Sequence, residues 1–348
     1  MLLAAQILGA IAATGLALYL AAVAFGLYLK RRGQLPFDPE ALAAEGGKYV
    51  TTADGRIVEY FTYGPPDPDA RVVVNMHGSG MEAREQARLN APICEGLGVR
   101  GIAISLPGFG YSDMQPGRKV KDWPRDDLAP VLAVEDVDRF MITGHSQGNP
   151  HAMAAAWYFG DRCEGLGLYA PFLPIDVSKE EGLKGGIGME ALPSTGKLRK
   201  WYMGWYFAVM HLSVVTFAPW LPLQALRRDG RNIHADASLL RHVGDSAQRG
   251  AARGVIGGAW ESARDVCYEW GFDPRVIETR NVVIWHAADE TLCPPEIGRW
   301  LAEMFRGKEG VNVNFRDDDV GFGHFTYSRG EFATPGGSMV KALLDGCG

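Results

Sequence analysis

One serine lies in a sequence context that could make it a nucleophile. Ser146 is the middle residue of Gly144-His-Ser-Gln-Gly148 and follows the apolar run Phe140–Thr143. An alanine-rich helical stretch comes next, from Ala152 to Phe159. A serine between two glycines, where a strand changes to a helix, is the pattern of a nucleophile elbow, because only glycine fits the tight turn that raises the hydroxyl above the sheet. The alternative is a turn of small residues without chemistry, so the rest of the chain must supply partners.

A serine hydroxyl that attacks a carbonyl carbon needs a base, an acid that orients the base, and N–H donors for the oxyanion. His324 follows the last apolar run, in the loop Gly321-Phe-Gly-His324. Asp289 lies four residues after the run that ends at Trp285. In an open parallel sheet the active site lies beyond the carboxyl ends of the strands, so both positions are candidates. Glu290 and Asp176 are the alternatives for the acid.

The elements that must position these residues alternate between short apolar runs and helical stretches. Asp54-Gly55 between two β-rich runs predicts a hairpin, Tyr49–Thr52 with Arg56–Tyr63. The pattern predicts an α/β fold with a mostly parallel central sheet flanked by helices. The predicted strands are Val72–Met76, Val99–Leu106, Phe140–Thr143, Gly165–Ala170, Val282–Trp285 and Val311–Phe315, and the further helices are Met81–Leu97, Pro295–Phe305 and Gly337–Leu344.

One insertion interrupts this pattern. Residues 174–262 are rich in glycine, aromatic residues and methionine and contain no clear strand, which predicts a helical cap or lid. The stretch Trp201–Leu226 has no charged residue, but its prolines and its position before His324 favour a lid helix over a membrane span. Trp201 and Trp205 are candidates for substrate binding there. The predicted division is 1–32 anchor, 33–48 linker, 49–173 first part of the core, 174–262 insertion and 263–348 second part.

These motifs together resemble the α/β-hydrolase fold family, in particular its lipase- and esterase-like members with an inserted cap. The order Ser146, Asp289, His324 is the order that this family uses. The resemblance covers about residues 49–348 and implies Ser146 as nucleophile, His324 as general base and Asp289 as its acid. It also implies that the backbone N–H groups of Ser79, which follows His77-Gly78 at a strand end, and of Gln147 form the oxyanion hole.

The remaining histidines have other expected roles. His145 belongs to the elbow pattern and is predicted to pack beside the nucleophile, where it would contact substrate. His77 is predicted to hold its own loop.

Relatives that open epoxides or displace halides need a carboxylate at the elbow, so a serine there argues against those reactions. No nucleotide, metal or other cofactor is implied by any motif.

Composition and charge exclude several partners. The chain has 348 residues, 47% hydrophobic and 22% charged, with a formal net charge of −6, which argues against nucleic acid. Its five cysteines are scattered without a CxxC or a metal-ligand spacing, so we expect thiols and no disulfide framework or zinc site. They are Cys94, Cys163, Cys267, Cys293 and Cys347.

The N-terminus is uncharged from Leu2 to Leu29, and Lys30-Arg31-Arg32 follows. A helix of that length spans about 42 Å at ~1.5 Å per residue, enough to cross a bilayer. The basic cluster predicts a single-pass anchor with the catalytic domain on the cytoplasmic side. The alternative is a signal peptide cleaved near Ala22-Val-Ala24, although no basic residue precedes the apolar run.

The sequence therefore predicts a membrane-anchored serine hydrolase of carboxylic esters with a hydrophobic, lipid-like substrate. Two other functions stay open. One is a non-catalytic scaffold of the same fold that binds a lipid or protein. The other is a thioesterase or peptidase that uses the same three residues.

Overall fold

The fold is taken from a computed structural model of the chain. It describes residues 6–7, 9–17, 20–21, 24, 28, 33–183, 237–254, 270–319, 321 and 323–347. Trp201 and Trp205 lie outside these residues, as does the predicted lid helix.

Eight strands form one sheet, in the order β1-β2-β4-β3-β5-β6-β7-β8. β1 pairs antiparallel with β2 and β2 antiparallel with β4, whereas every pairing from β4 to β8 is parallel. The prediction of a mostly parallel α/β sheet is thus confirmed, including the hairpin at Asp54-Gly55. The strands are β1 Lys48–Thr51, β2 Ile57–Tyr63, β3 Val72–Met76, β4 Arg100–Ile104, β5 Phe140–His145, β6 Cys163–Tyr169, β7 Asn281–Trp285 and β8 Asn312–Arg316.

Helices cover both faces of the sheet, as parallel strands require. Every residue of β3 and β7 is buried. Successive side chains point to opposite faces, so Val73 packs in the cluster of Ile93 and Leu343, while Val74 packs with Leu301 in the other. The α-helices with named bounds are α1 Pro39–Ala44, α2 Ala83–Leu97, α3 Ala129–Val134, α4 Gly148–Phe159, α5 Ile175–Glu180, α6 Ala237–Gly250, α7 Pro295–Arg306 and α8 Met339–Gly346.

The predicted linker at 33–48 contains an ordered helix. The Asp38 side chain accepts hydrogen bonds from the N–H groups of Glu40 and Ala41, and Pro39 starts α1. Asp-Pro is a helix start signal, because the carboxylate satisfies free N–H groups and proline needs none. Leu42 of this helix is fully buried. The segment therefore packs on the core.

The chain leaves the sheet after β6 and returns to it at β7. These two strands pair directly, from Leu166 opposite Val282 to Tyr169 opposite Trp285, although the whole predicted insertion lies between them. Of that insertion the structure describes α5, α6 and the residues around them. Its identity as a cap stays a prediction. None of the described helices combines the length and the hydropathy that a membrane span requires.

The described cysteines are free thiols, as expected. Cys94, Cys163 and Cys293 are buried, and Cys347 is partly exposed. Cys267 lies outside the described residues.

Helix α6 is fixed to the core by a buried charge cluster. Arg249 pairs with Glu59 and with Glu45, at 2.6 Å from the latter, and its Nη1 lies 3.7 Å from a Glu82 carboxylate oxygen. The side chains of Glu59 and Glu82 are fully buried. One guanidinium therefore faces more carboxylate charge than it can neutralise. Burial and the charge of Glu59 accordingly raise the pKa of Glu82, in spite of Arg249.

We expect Arg249→Met to destabilise the chain by about 3–5 kcal/mol, because the substitution leaves the buried carboxylates without their cation. Arg88→Met is the matched control: the Arg88 side chain is 68% exposed, and its buried partner Glu85 keeps Arg84 as a second cation at 3.1 Å. Its loss should cost no more than about 1 kcal/mol. The free energy of unfolding from urea titrations measures both. Equal losses in the two variants would show that the cluster does not hold α6.

Candidate active site

The backbone at Ser146 is bent into a conformation that non-glycine residues rarely adopt. Its φ is 50°, directly after β5. The two glycines of the motif allow the chain to pack tightly there. A Cβ at Gly144 would lie 2.8 Å from Asn149 N, and one at Gly148 would lie 2.7 Å from Met76 O. Since real side chains do not approach backbone this closely, only glycine permits α4 to start against the end of β3.

The buried side chain of Asn149 stabilises this turn. Its Nδ2 donates to Ser146 O at 3.0 Å and to Tyr169 O at 2.7 Å, which joins the ends of β5 and β6. Ala170, the residue after β6, also has a positive φ of 45°. Strained residues persist where surrounding contacts enforce them, and they are concentrated at functional sites. Asn149 supplies such contacts for two adjacent strand ends, and the sequence analysis missed it.

The predicted oxyanion residues lie on both sides of the serine. A Cβ at Gly78 would be 3.4 Å from Ser146 Cβ, so the loop of Gly78 and Ser79 lies against it. Gln147 directly precedes α4. An N–H group before the first turn of a helix has no carbonyl partner within that helix and lies at the positive end of the helix dipole. The roles of Ser79 and Gln147 as oxyanion donors stay predictions.

His77 holds the oxyanion loop. Its Nε2 accepts a hydrogen bond from Leu106 N at 2.9 Å, so the proton is on Nδ1, which donates to Gly78 O at 2.8 Å. The ring is fully buried and stands edge-on to Phe109. This agrees with the structural role expected from the sequence.

His324 is oriented by Glu290. Its Nδ1 lies 2.7 Å from Glu290 Oε2, and both side chains are buried. Asp289, the acid inferred from the sequence, is turned to the neighbouring loop and accepts a hydrogen bond from Gly321 N at 2.9 Å. Asp176, the other alternative, is exposed on α5. His324 is thus paired with Glu290, the residue next to the predicted acid.

The Glu290 carboxylate is fixed on both of its oxygens. Oε1 accepts from the N–H groups of Leu292 at 2.7 Å and Cys293 at 3.0 Å, which leaves Oε2 for His324. Burial alone would raise the pKa of this carboxyl, but the facing His324 outweighs burial and holds the pKa below its usual range. Glu290 is therefore an anion over the neutral pH range.

His145 brings the histidine loop to the serine. Its Nε2 donates to the His324 carbonyl oxygen at 2.9 Å, and the two rings lie 4.7 Å apart. Burial, together with the neighbouring His324, lowers the pKa of His145 to about 3, so its ring is neutral. Because Ser146 is the next residue, this contact places the 3₁₀ helix Gly323–Ser328 beside the elbow.

Known proteins share this architecture. No protein-family model matches the chain. The chain is 34% identical over 155 residues to epoxide hydrolase B of Mycobacterium tuberculosis, which covers 42% of each protein. It thus spans less than half of that relative. Among solved structures, the esterase EaEST of Exiguobacterium antarcticum is 15% identical with a TM-score of 0.61, covering 86% of this chain and 99% of its own.

The enol-lactonase of Burkholderia xenovorans is similar in the same way. It has a TM-score of 0.54 at 16% identity and covers 79% of this chain and 92% of its own. The chain has the α/β-hydrolase fold. At these identities the likeness concerns the fold, and the chemistry must be argued from the site itself.

We expect Glu290→Gln and Asp289→Asn to differ sharply in kcat/KM for the ester hydrolysis that the sequence predicts. Glu290→Gln removes the charge that orients His324, and a loss of about 10²- to 10⁴-fold is typical for such an acid. Asp289→Asn keeps an oxygen that accepts from Gly321 N, so its loss should be much smaller. Steady-state kinetics on the two purified variants checks this. A larger loss in Asp289→Asn would return the acid role to Asp289.

Proposed function

We propose that the chain is a serine hydrolase that cleaves carboxylic esters. The observation that carries this proposal is the pairing of His324 with a buried, fixed carboxylate beside the strained serine turn. In an imidazole whose Nδ1–H is bound by a carboxylate, Nε2 is the nitrogen that can accept a proton. A base of this kind beside a serine on a tight turn is the arrangement that nucleophilic acyl transfer needs.

In the proposed mechanism Ser146 Oγ attacks the ester carbonyl while its proton passes to His324 Nε2. Glu290 stabilises the imidazolium that forms. The N–H groups of Gln147 and Ser79 bind the negative oxygen of the tetrahedral intermediate. The alkoxide then leaves with the proton from His324, and water cleaves the acyl-enzyme with His324 acting again as base.

An ester substrate is favoured over an epoxide by the nucleophile. Epoxide opening in this fold uses a carboxylate at the elbow, and here the residue is Ser146. Two of the structurally similar proteins are named as an esterase and an enol-lactonase, which act on ester-type bonds. Their names support the same class of substrate here. A largely apolar cavity next to His324, with Leu89, Ile93 and Phe325 in its wall, supports a substrate with small, mostly apolar groups near the ester.

Ser146→Ala should lower kcat for p-nitrophenyl esters on the order of 10⁶-fold. It should also abolish labelling by a fluorophosphonate, which reacts with an activated serine. Ser79→Ala is the control, since the mechanism uses only the backbone N–H of Ser79, and this variant should still be labelled. Labelling that persists in Ser146→Ala would show that another residue reacts with the probe. Wild-type protein that is neither labelled nor active would leave the fold as a binding scaffold.

Attachment to a membrane through Leu2–Leu29, with the catalytic domain on the cytoplasmic side, is also proposed. One support is the uncharged sequence before Lys30-Arg31-Arg32. The other is that four apolar residues in the described N-terminal part are each more than half exposed. Exposed apolar surface of this kind favours burial in lipid or protein. The residues are Ile7, Ile11, Leu16 and Leu20.

The double substitution Ile11→Lys with Leu16→Lys should move the full-length protein from the membrane fraction to the supernatant after high-speed centrifugation. Two charges within the apolar stretch oppose insertion by about 5 kcal/mol or more. Val134→Lys, at an exposed apolar residue of the core, should leave the distribution unchanged. Wild-type protein found in the supernatant would refute the anchor.

A further inference from the structure

A small cavity lies next to His324, on the α2 face of the sheet. Its volume is about 60 Å³, which is room for a few water-sized groups and too little for a long acyl chain. Helix α2 forms one wall and the segment 323–333 forms another. His145 and His324 line it on the side of the elbow, and His242 of α6 lines it as well.

Among its described lining residues there is no lysine, arginine, aspartate or glutamate. Several of its polar groups are already bonded within the protein. Thr143 Oγ1 donates to Asn75 Oδ1, Ser328 Oγ donates to Phe325 O at 2.8 Å, and Asn90 Nδ2 donates to Gln86 O at 2.8 Å. A charged group would find no opposite fixed charge in the described part of this lining, whereas a neutral polar group needs only a hydrogen-bond partner.

His242 offers such a partner. Its Nδ1 lies 3.3 Å from Glu85 Oε2, so the Nδ1 proton is directed to that carboxylate. Glu85 itself is held by Arg88 and Arg84, at 2.9 and 3.1 Å. His242 Nε2 is buried and makes no hydrogen bond within the described part of the chain. A buried polar nitrogen without a partner costs free energy, which a ligand group can recover.

We propose that His242 Nε2 binds a hydroxyl group of the substrate in this cavity. The inference rests on the proposed function and deepens it: the preferred esters carry a free hydroxyl close to the scissile bond. A hydroxyl fits because it donates to Nε2 of a neutral imidazole and accepts from Nε2–H of a protonated one. His242 thereby makes the insertion part of substrate recognition.

Two matched substrate pairs test this inference and separate a hydroxyl on the acid from one on the alcohol. The first pair is p-nitrophenyl 3-hydroxybutyrate with p-nitrophenyl butyrate, and the second is glyceryl monobutyrate with propyl butyrate. The readout is the ratio of kcat/KM within a pair. Both members are measured on one preparation, so the fraction of folded protein cancels from the ratio.

We expect His242→Leu to lower the ratio by about threefold to tenfold for one pair, the range for one lost hydrogen bond. His242→Gln keeps polar atoms in the cavity and should retain part of the preference. Gln248→Leu, at an exposed position of the same helix, should leave the ratio as in wild type.

An unchanged ratio in His242→Leu for both pairs overturns the role of His242 and leaves the hydrolase proposal intact, provided that hydrolysis depends on Ser146. If the wild-type protein hydrolyses none of the four esters, the proposed function fails and the inference fails with it.

Discussion

The close packing of backbone around Ser146 is the constraint on which the rest of the site depends. The start of α4 approaches the end of β3 so closely that a methyl group at Gly148 would overlap Met76 O. This contact forces the serine into a positive φ, and Asn149 keeps it there by bonding the ends of β5 and β6. The free energy for holding the strained turn comes from the buried parallel strands on either side.

Histidine–glutamate pairs recur around the cavity beside this turn. Glu290 orients His324, and Glu85 orients His242, so a carboxylate holds each ring through its Nδ1 atom. The first pair belongs to the core. The second joins α2 to the insertion helix α6, which the Arg249 cluster fixes to the core. Electrostatic pairing therefore attaches the insertion helix α6 to the core and positions its His242 beside the cavity.

The strands and the elbow could be predicted from sequence because their signals are local. Alternating apolar runs specify the parallel sheet, and Gly144 and Gly148 mark the turn. Less local features were harder to predict. Helix α4 begins at Gly148 and not at Ala152, because the elbow itself is its first turn. The predicted linker contains α1, whose start depends on Asp38. Asn149 showed no motif, since its three carbonyl partners come together only when β5 and β6 pair.

The sequence by itself determined the fold class, the position of Ser146 at a strand end and the loop that holds His324, because periodicity and glycine placement are properties of neighbouring residues. Only the tertiary structure decided which of two adjacent acids meets the histidine. Asp289 and Glu290 follow the same strand, but their side chains leave the loop in different directions, and the N–H groups of Leu292 and Cys293 hold Glu290 toward His324. The meeting of His242 with Glu85 was decided in the same way, since it joins residues distant in the chain.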